Sequence, residues 1–91
     1  MPTVHLLIHG KVQGVFFRAS AKDAADEIGI TGWVRNTEEG DVEVRASGSD
    51  ESLQRFIEWC KVGPRRAIVT NVTVEKVEEE DFKNFEVIRK H

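Results

Sequence analysis

The run Ile30-Thr-Gly-Trp-Val-Arg-Asn36-Thr-Glu-Glu-Gly40-Asp-Val-Glu-Val-Arg-Ala-Ser47 decides the fold. Its second part, Asp41–Ser47, alternates Val42, Val44 and Ala46 against Glu43 and Arg45. That period of two marks a strand with one covered face. Its first part, Ile30–Asn36, reads as a short strand carrying Trp33. Thr37-Glu38-Glu39-Gly40 joins them, with glycine where such connections often need a positive φ. The two parts form a hairpin, and a helical pattern flanks it on each side.

Upstream, Ala21, Ala24, Ala25 and Ile28 stand at i, i+3, i+4 and i+7 of a helix over residues 18–28. Alanines on that stripe let the helix lie close to a sheet. Lys22, Asp23, Asp26 and Glu27 take the other face, and Gly29 supplies the stop. Downstream, Leu53, Phe56, Ile57 and Cys60 repeat the spacing. Ser49 or Asp50 can cap this second helix, the acids Asp50 and Glu51 suit the positive end of its dipole, and Gly63-Pro64 ends it.

Two further strands lie outside the helices. Thr3–His9 alternates Val4, Leu6 and Ile8 against His5, Leu7 and His9, and Ala67–Val77 is β-branched and alternating. Glu78–Lys83 reads as a solvated acidic turn, and Phe85–Ile88 as a short last strand at a sheet edge. The order β-α-β-β-α-β, with that strand added, predicts an α+β, ferredoxin-like split β-α-β sandwich. Its sheet is expected to be antiparallel, with both helices on one face.

Bulk properties narrow the function. Ninety-one residues make one domain, 1–91, and 40% hydrophobic content suffices for one modest core. A net charge of −3 gives the whole chain no electrostatic attraction to nucleic acid or to an anionic membrane surface. No stretch approaches the roughly 18 apolar residues of a membrane helix, and the N-terminus has no signal-like pattern. The single cysteine, Cys60, excludes an internal disulfide and fits a reducing compartment, so a complete cytoplasmic protein is expected. On its helical stripe Cys60 reads as a small core residue. His5 and His9 share a strand face, but four strand residues span roughly 13 Å, so one metal ion cannot bridge them. They are expected on the open face of the sheet. His91 is terminal and expected to be mobile.

Two stretches carry chemistry. Gly10-Lys-Val-Gln-Gly14-Val-Phe-Phe-Arg18 sits between the first strand and the first helix. Glycines at 10 and 14 permit a loop that aims backbone N–H groups inward, with the positive end of a helix dipole behind them. Arg18 stands at the mouth with a planar fork of donors suited to phosphate oxygens. Equally, a Gly-x-x-x-Gly turn is often only a turn. The stretch is neither a P-loop nor a dinucleotide fingerprint. Asn36, at the end of the second strand, is either a turn residue tolerating awkward backbone angles or an amide that holds a water.

Taken together, these stretches resemble the acylphosphatase family. Its first motif reads Gly-x-Val-Gln-Gly-Val-x-Phe-Arg, and Gly10–Arg18 fills every fixed place. Its second is filled by Gly32, Trp33, Val34, Arg35, Asn36, Gly40, Val42 and Gly48. The length, the element order and the helix end Trp59…Gly63-Pro64 agree too, while Arg65–His91 holds no comparably diagnostic motif. The resemblance implies hydrolysis of an acyl phosphate to a carboxylate and inorganic phosphate, the latter both product and inhibitor. It assigns phosphate binding to Arg18 and to the backbone N–H groups of Gln13, Gly14, Val15, Phe16 and Phe17. Asn36 positions the attacking water. No cofactor and no metal are expected, and the enzyme is expected to be a monomer.

Two rival readings remain at this stage. Split β-α-β folds also host RNA-binding domains that stack bases on sheet aromatics, but this chain has no Tyr, shows no aromatic-rich motif of that kind and carries the wrong net charge. The other is a maturation role, in which such a domain serves carbamoyl transfer in a larger protein.

Overall fold

The structure, a computed structural model, describes residues 1–89. His91 lies outside the described residues. Seven elements follow one another: β1 (Thr3–Lys11), α1 (Phe17–Ile28), β2 (Thr31–Asn36), β3 (Val42–Ser47), α2 (Asp50–Val62), β4 (Ile68–Val77) and β5 (Phe85–Ile88). They build one five-stranded sheet in the order β4-β1-β3-β2-β5. β1 runs antiparallel to β3 and β4, and β2 antiparallel to β3, which is the split β-α-β arrangement. The expected antiparallel sheet holds for these four strands. β5 differs: it adds to β2 in parallel, at the edge.

Alternation along the strands sorts the two faces. Val4, Leu6 and Ile8 of β1, Val34 of β2 and Val42, Val44 and Ala46 of β3 are buried. They share one core with Ala21 and Ala25 of α1 and Leu53, Phe56 and Cys60 of α2, so both helices cover the same face. Burial pushes the Cys60 thiol up from its ordinary value, leaving it a neutral core residue. On the opposite face His5 Nε2 and Glu43 Oε2 are 2.6 Å apart, Arg35 Nε donates to Glu43 Oε1 at 2.6 Å, and His9 pairs with Asp41 at 3.1 Å. The histidines are thus partners of carboxylates on the open face.

The helix boundaries have local causes. Ser49 caps α2, its Oγ accepting from the Ser52 N–H at 3.1 Å, and Asp50 and Glu51 fill the first turn. Gly29, at φ 94°, ends α1 with its N–H on the Ala25 carbonyl. β1 runs two residues beyond the expected His9, because after a bulge at His9/Gly10 the chain resumes pairing, Gly10 with Val69 and Lys11 with Ile68.

An aromatic row joins the start of α1 to β5. Phe17 meets Trp59 edge-on at 5.4 Å, Trp59 stacks on Phe56 at 6.3 Å, and Phe56 meets Phe85 edge-on at 5.7 Å. Glu78–Lys83, expected to be a solvated acidic turn, is exposed apart from half-buried Phe82, but with Asn84 it runs as a strap from one sheet edge to the other rather than as a tight turn. β4 ends and β5 begins at the same end of the sheet, where Val77 lies beside Thr3 and Phe85 beside Gly32. Four strand spacings of about 4.8 Å must be crossed, roughly 19 Å, by eight steps of at most roughly 3.5 Å each. Full extension gives roughly 28 Å, so the segment crosses with moderate slack and bends in to anchors on the way. Midway, the Glu80 N–H donates to Thr3 Oγ1 at 3.0 Å, Ser47 Oγ donates to the Glu80 carbonyl at 3.1 Å, and Arg45 pairs with the Glu80 carboxylate at 2.6 Å.

Candidate active site

β1, β2 and β5 run in the same direction, so their C-terminal ends meet at one end of the sheet. That is the end opposite the strap. There the chain leaves β1, turns through Val12–Phe16 and enters α1. Two side chains hold the turn. Val15 is buried in the core, and the Gln13 amide donates to the carbonyls of Thr37 at 2.9 Å and Asp41 at 2.8 Å. Gln13 thereby ties the loop to the β2–β3 connection. Gly14 takes φ 74°, and Phe16, the residue before α1, takes φ 62°. Phe16 is the one non-glycine with positive φ among the described residues, a conformation that costs on the order of 1–2 kcal/mol. The residue is 76% exposed, so no burial offsets that cost.

This backbone geometry leaves donors free. Among the described residues, none of the N–H groups of Gln13, Gly14, Val15, Phe16 and Phe17 donates to another protein group. The first intrahelical contact is made by Ser20, whose N–H reaches the Phe16 carbonyl at 3.1 Å. Unpartnered N–H groups at a helix start make a concentrated site for an anion.

A cleft of about 440 Å³ opens at this point, lined by Val12, Gly14, Phe16, Phe17, Arg18, Ala19, Asn36 and Arg89. Arg18 sits in the first turn of α1, half-buried, and Asn36 is the last residue of β2, also half-buried. The fold brings these two together across the sheet end. Gly14, Phe16 and Phe17 line the cleft with them, whereas Gln13 and Val15 serve the loop from behind. Asn36 is not a strained turn residue: it stays in the ladder opposite Val42, without a positive φ. Its amide makes no hydrogen bond among the described residues and is open to a water. Arg89 was not foreseen. Nothing in its local sequence marks it, and only the parallel seating of β5 beside β2 carries it to the cleft.

A split β-α-β domain with a loop of unpartnered N–H groups, an arginine at the loop's mouth and an amide opposite has the donors that suit a phosphate group. A family model for acylphosphatases matches residues 4–87. An acylphosphatase of Methylococcus capsulatus is 47% identical over 90 residues, spanning 98% of each chain. A solved acylphosphatase from Coxiella burnetii superposes with a TM-score of 0.93 at 44% identity, covering 96% of this chain and 92% of that one. One from Bacillus subtilis gives 0.93 at 34% identity, covering 97% and 99%. The chain belongs to the acylphosphatase family, and its activity is hydrolysis of acyl phosphates to a carboxylate and inorganic phosphate.

Proposed function

We propose that Arg18 and the loop N–H groups of Gln13–Phe17 hold the phosphoryl group of the acyl phosphate, and that Asn36 orients the water that attacks it. The water oxygen approaches phosphorus in line with the bond to the acyl oxygen. As the new P–O bond forms, the old one breaks, and its electron pair leaves on the carboxylate. A non-bridging oxygen of the phosphoryl group takes the water's proton, so no protein base is required. The carboxylate is a good leaving group, so positioning and charge stabilisation carry the catalysis. In this reading the enzyme needs no metal, because Arg18 and the N–H groups supply the positive charge. It works as a single domain over residues 1–91, as a monomer in the cytoplasm. Inorganic phosphate, the product, competes for the same cradle.

One observation carries the proposal: Arg18, Asn36 and a loop with unpartnered N–H groups converge on one cleft. Asn36→Ala tests it. Turnover of benzoyl phosphate should fall by most of its value while phosphate affinity, read by calorimetry, stays within about twofold, because an interaction made with the attacking water appears in kcat. Loss of phosphate binding by a folded variant would move Asn36 into the phosphate cradle. Exhaustive chelation should leave the wild-type rate unchanged, and a loss restored by Mg²⁺ would refute the metal-free scheme.

A further inference from the structure

We propose that Arg89 is a second phosphoryl-binding cation of this site. β5 lies parallel to β2, with Ile88 paired to Arg35. One residue on from that pair stand Asn36, the last of β2, and Arg89, just past the end of β5, about 4.8 Å apart if the ordinary strand spacing continues. Both line the cleft together with Arg18. Arg89 is exposed and makes no ion pair or hydrogen bond among the described residues, and no acidic side chain lines the cleft beside it. Its guanidinium is therefore available to a ligand.

The placement says which part of the ligand it meets. In an in-line displacement the water and the leaving acyl group lie on opposite faces of phosphorus. This step rests on Asn36 holding the water. Arg89 arrives from the strand next to Asn36, hence from the water's side. From there a long side chain reaches the equatorial phosphoryl oxygens, over which transition-state charge is spread, and not the departing acyl group. Arg18 approaches the same oxygens from the first turn of α1. The phosphoryl group is thus held between two cations delivered by different layers of the fold, the helix and the sheet edge. In a chain of net charge −3, this pair makes the cleft locally cationic and attracts a dianionic substrate.

Exposure decides what kind of contact this is. A solvated arginine acts chiefly through its charge, and salt weakens it. Arg89→Gln should lower kcat/KM about tenfold, less than the roughly 10²–10³ of a fully enclosed donor, and weaken phosphate binding by a similar factor. Arg89→Lys should keep most of both.

The experiment compares wild type, Arg89→Gln, Arg89→Lys and Arg18→Gln. Each is assayed with benzoyl phosphate and with para-carboxybenzoyl phosphate, titrated with inorganic phosphate by calorimetry, and melted. The expected result is an equal loss on both substrates for Arg89→Gln, weaker phosphate binding, rescue by lysine and an unchanged melting curve. Loss confined to the carboxylate-bearing substrate would overturn the proposal by placing Arg89 on the acyl side. A loss shared by the glutamine and lysine variants, with lowered melting, would overturn it by giving Arg89 a structural role. Arg89→Gln behaving as wild type while Arg18→Gln is inactive would remove Arg89 alone. An active Arg18→Gln would instead remove the phosphate-site reading beneath it.

Discussion

At the scale of single residues, shape separates the two arginines of the cleft. Arg18 is half-buried in the first turn of α1, beside loop N–H groups whose directions the backbone sets. If its fork takes two phosphoryl oxygens at once, as proposed, a lysine there keeps the charge and loses the geometry. Arg18→Lys should then be nearly as slow as Arg18→Gln, each down about 10²–10³ in turnover of benzoyl phosphate, with melting unchanged. Near-normal turnover of the lysine variant would show that charge alone suffices. A different residue governs acid stability. Burial acts to raise the Glu43 carboxyl, but hydrogen bonds from His5 and Arg35 outweigh it, and its pKa lies below the ordinary 4.5. A depressed folded-state pKa gives stability that is present above the unfolded value and lost as pH falls through the folded one. Glu43→Gln should therefore flatten the fall in melting temperature below about pH 4.5, and an unaltered acid limb would show that the pair contributes nothing. Arg18 and Asn36, which their own spacing left open between a turn and a site and which the family resemblance singled out, line one cleft. The conformation of Phe16 was not legible: nothing in Val-Phe-Phe-Arg tells that the first phenylalanine takes φ 62° and is exposed while the second is buried. Backbone strain is imposed by the closed loop, not encoded by the residue that bears it.

At the scale of elements, the hairpin, both helices, the Ser49 cap and the glycine stops followed from period and punctuation, because those signals are local. What could not be read was the direction and partner of β5. A four-residue strand has no sequence feature that chooses a neighbour. The strap of residues 78–84 carries the chain across the sheet end to the free edge of β2, long enough to do so with moderate slack. That route explains why an acidic run that looks like a free loop is pinned at Glu80 by Thr3, Ser47 and Arg45. It also makes a prediction. Removing Asp81 and Phe82 leaves six steps from Val77 to Phe85, roughly 21 Å at full extension for a crossing of roughly 19 Å, so the strap reaches only by running straight, giving up its bonds at Glu80 and pulling on Phe85, which is 1% exposed in the core. Stability should fall by about 3–5 kcal/mol, the usual cost of emptying a phenylalanine site. Inserting two glycines at the same place lengthens a surface connection and should cost less than about 1 kcal/mol. Urea unfolding of both variants checks this, and equal losses would mean that shortening does not draw the strap taut.

At the scale of the whole molecule, the site belongs to no single element. β1, α1, β2 and β5 each end or begin at one pole of the sheet, and the loop between β1 and α1 is held against the β2–β3 connection by Gln13. An anion bound there contacts groups that are close only in the native fold, so it must stabilise the fold by mass action. A domain of 91 residues with one modest core has a small stability margin, which makes the effect easy to see. Phosphate at ten times its dissociation constant adds about 1.4 kcal/mol, which for a domain of this size raises the melting temperature by about 6–11 °C. Chloride at equal ionic strength screens the surface charges without fitting the cradle and should shift melting far less. Arg18→Gln should lose the phosphate-specific part of the shift and keep the common ionic part. Equal shifts with phosphate and chloride in the wild type would mean that the loop N–H groups, although unpartnered, do not gather around an anion, and the proposed phosphate cradle would fall with them.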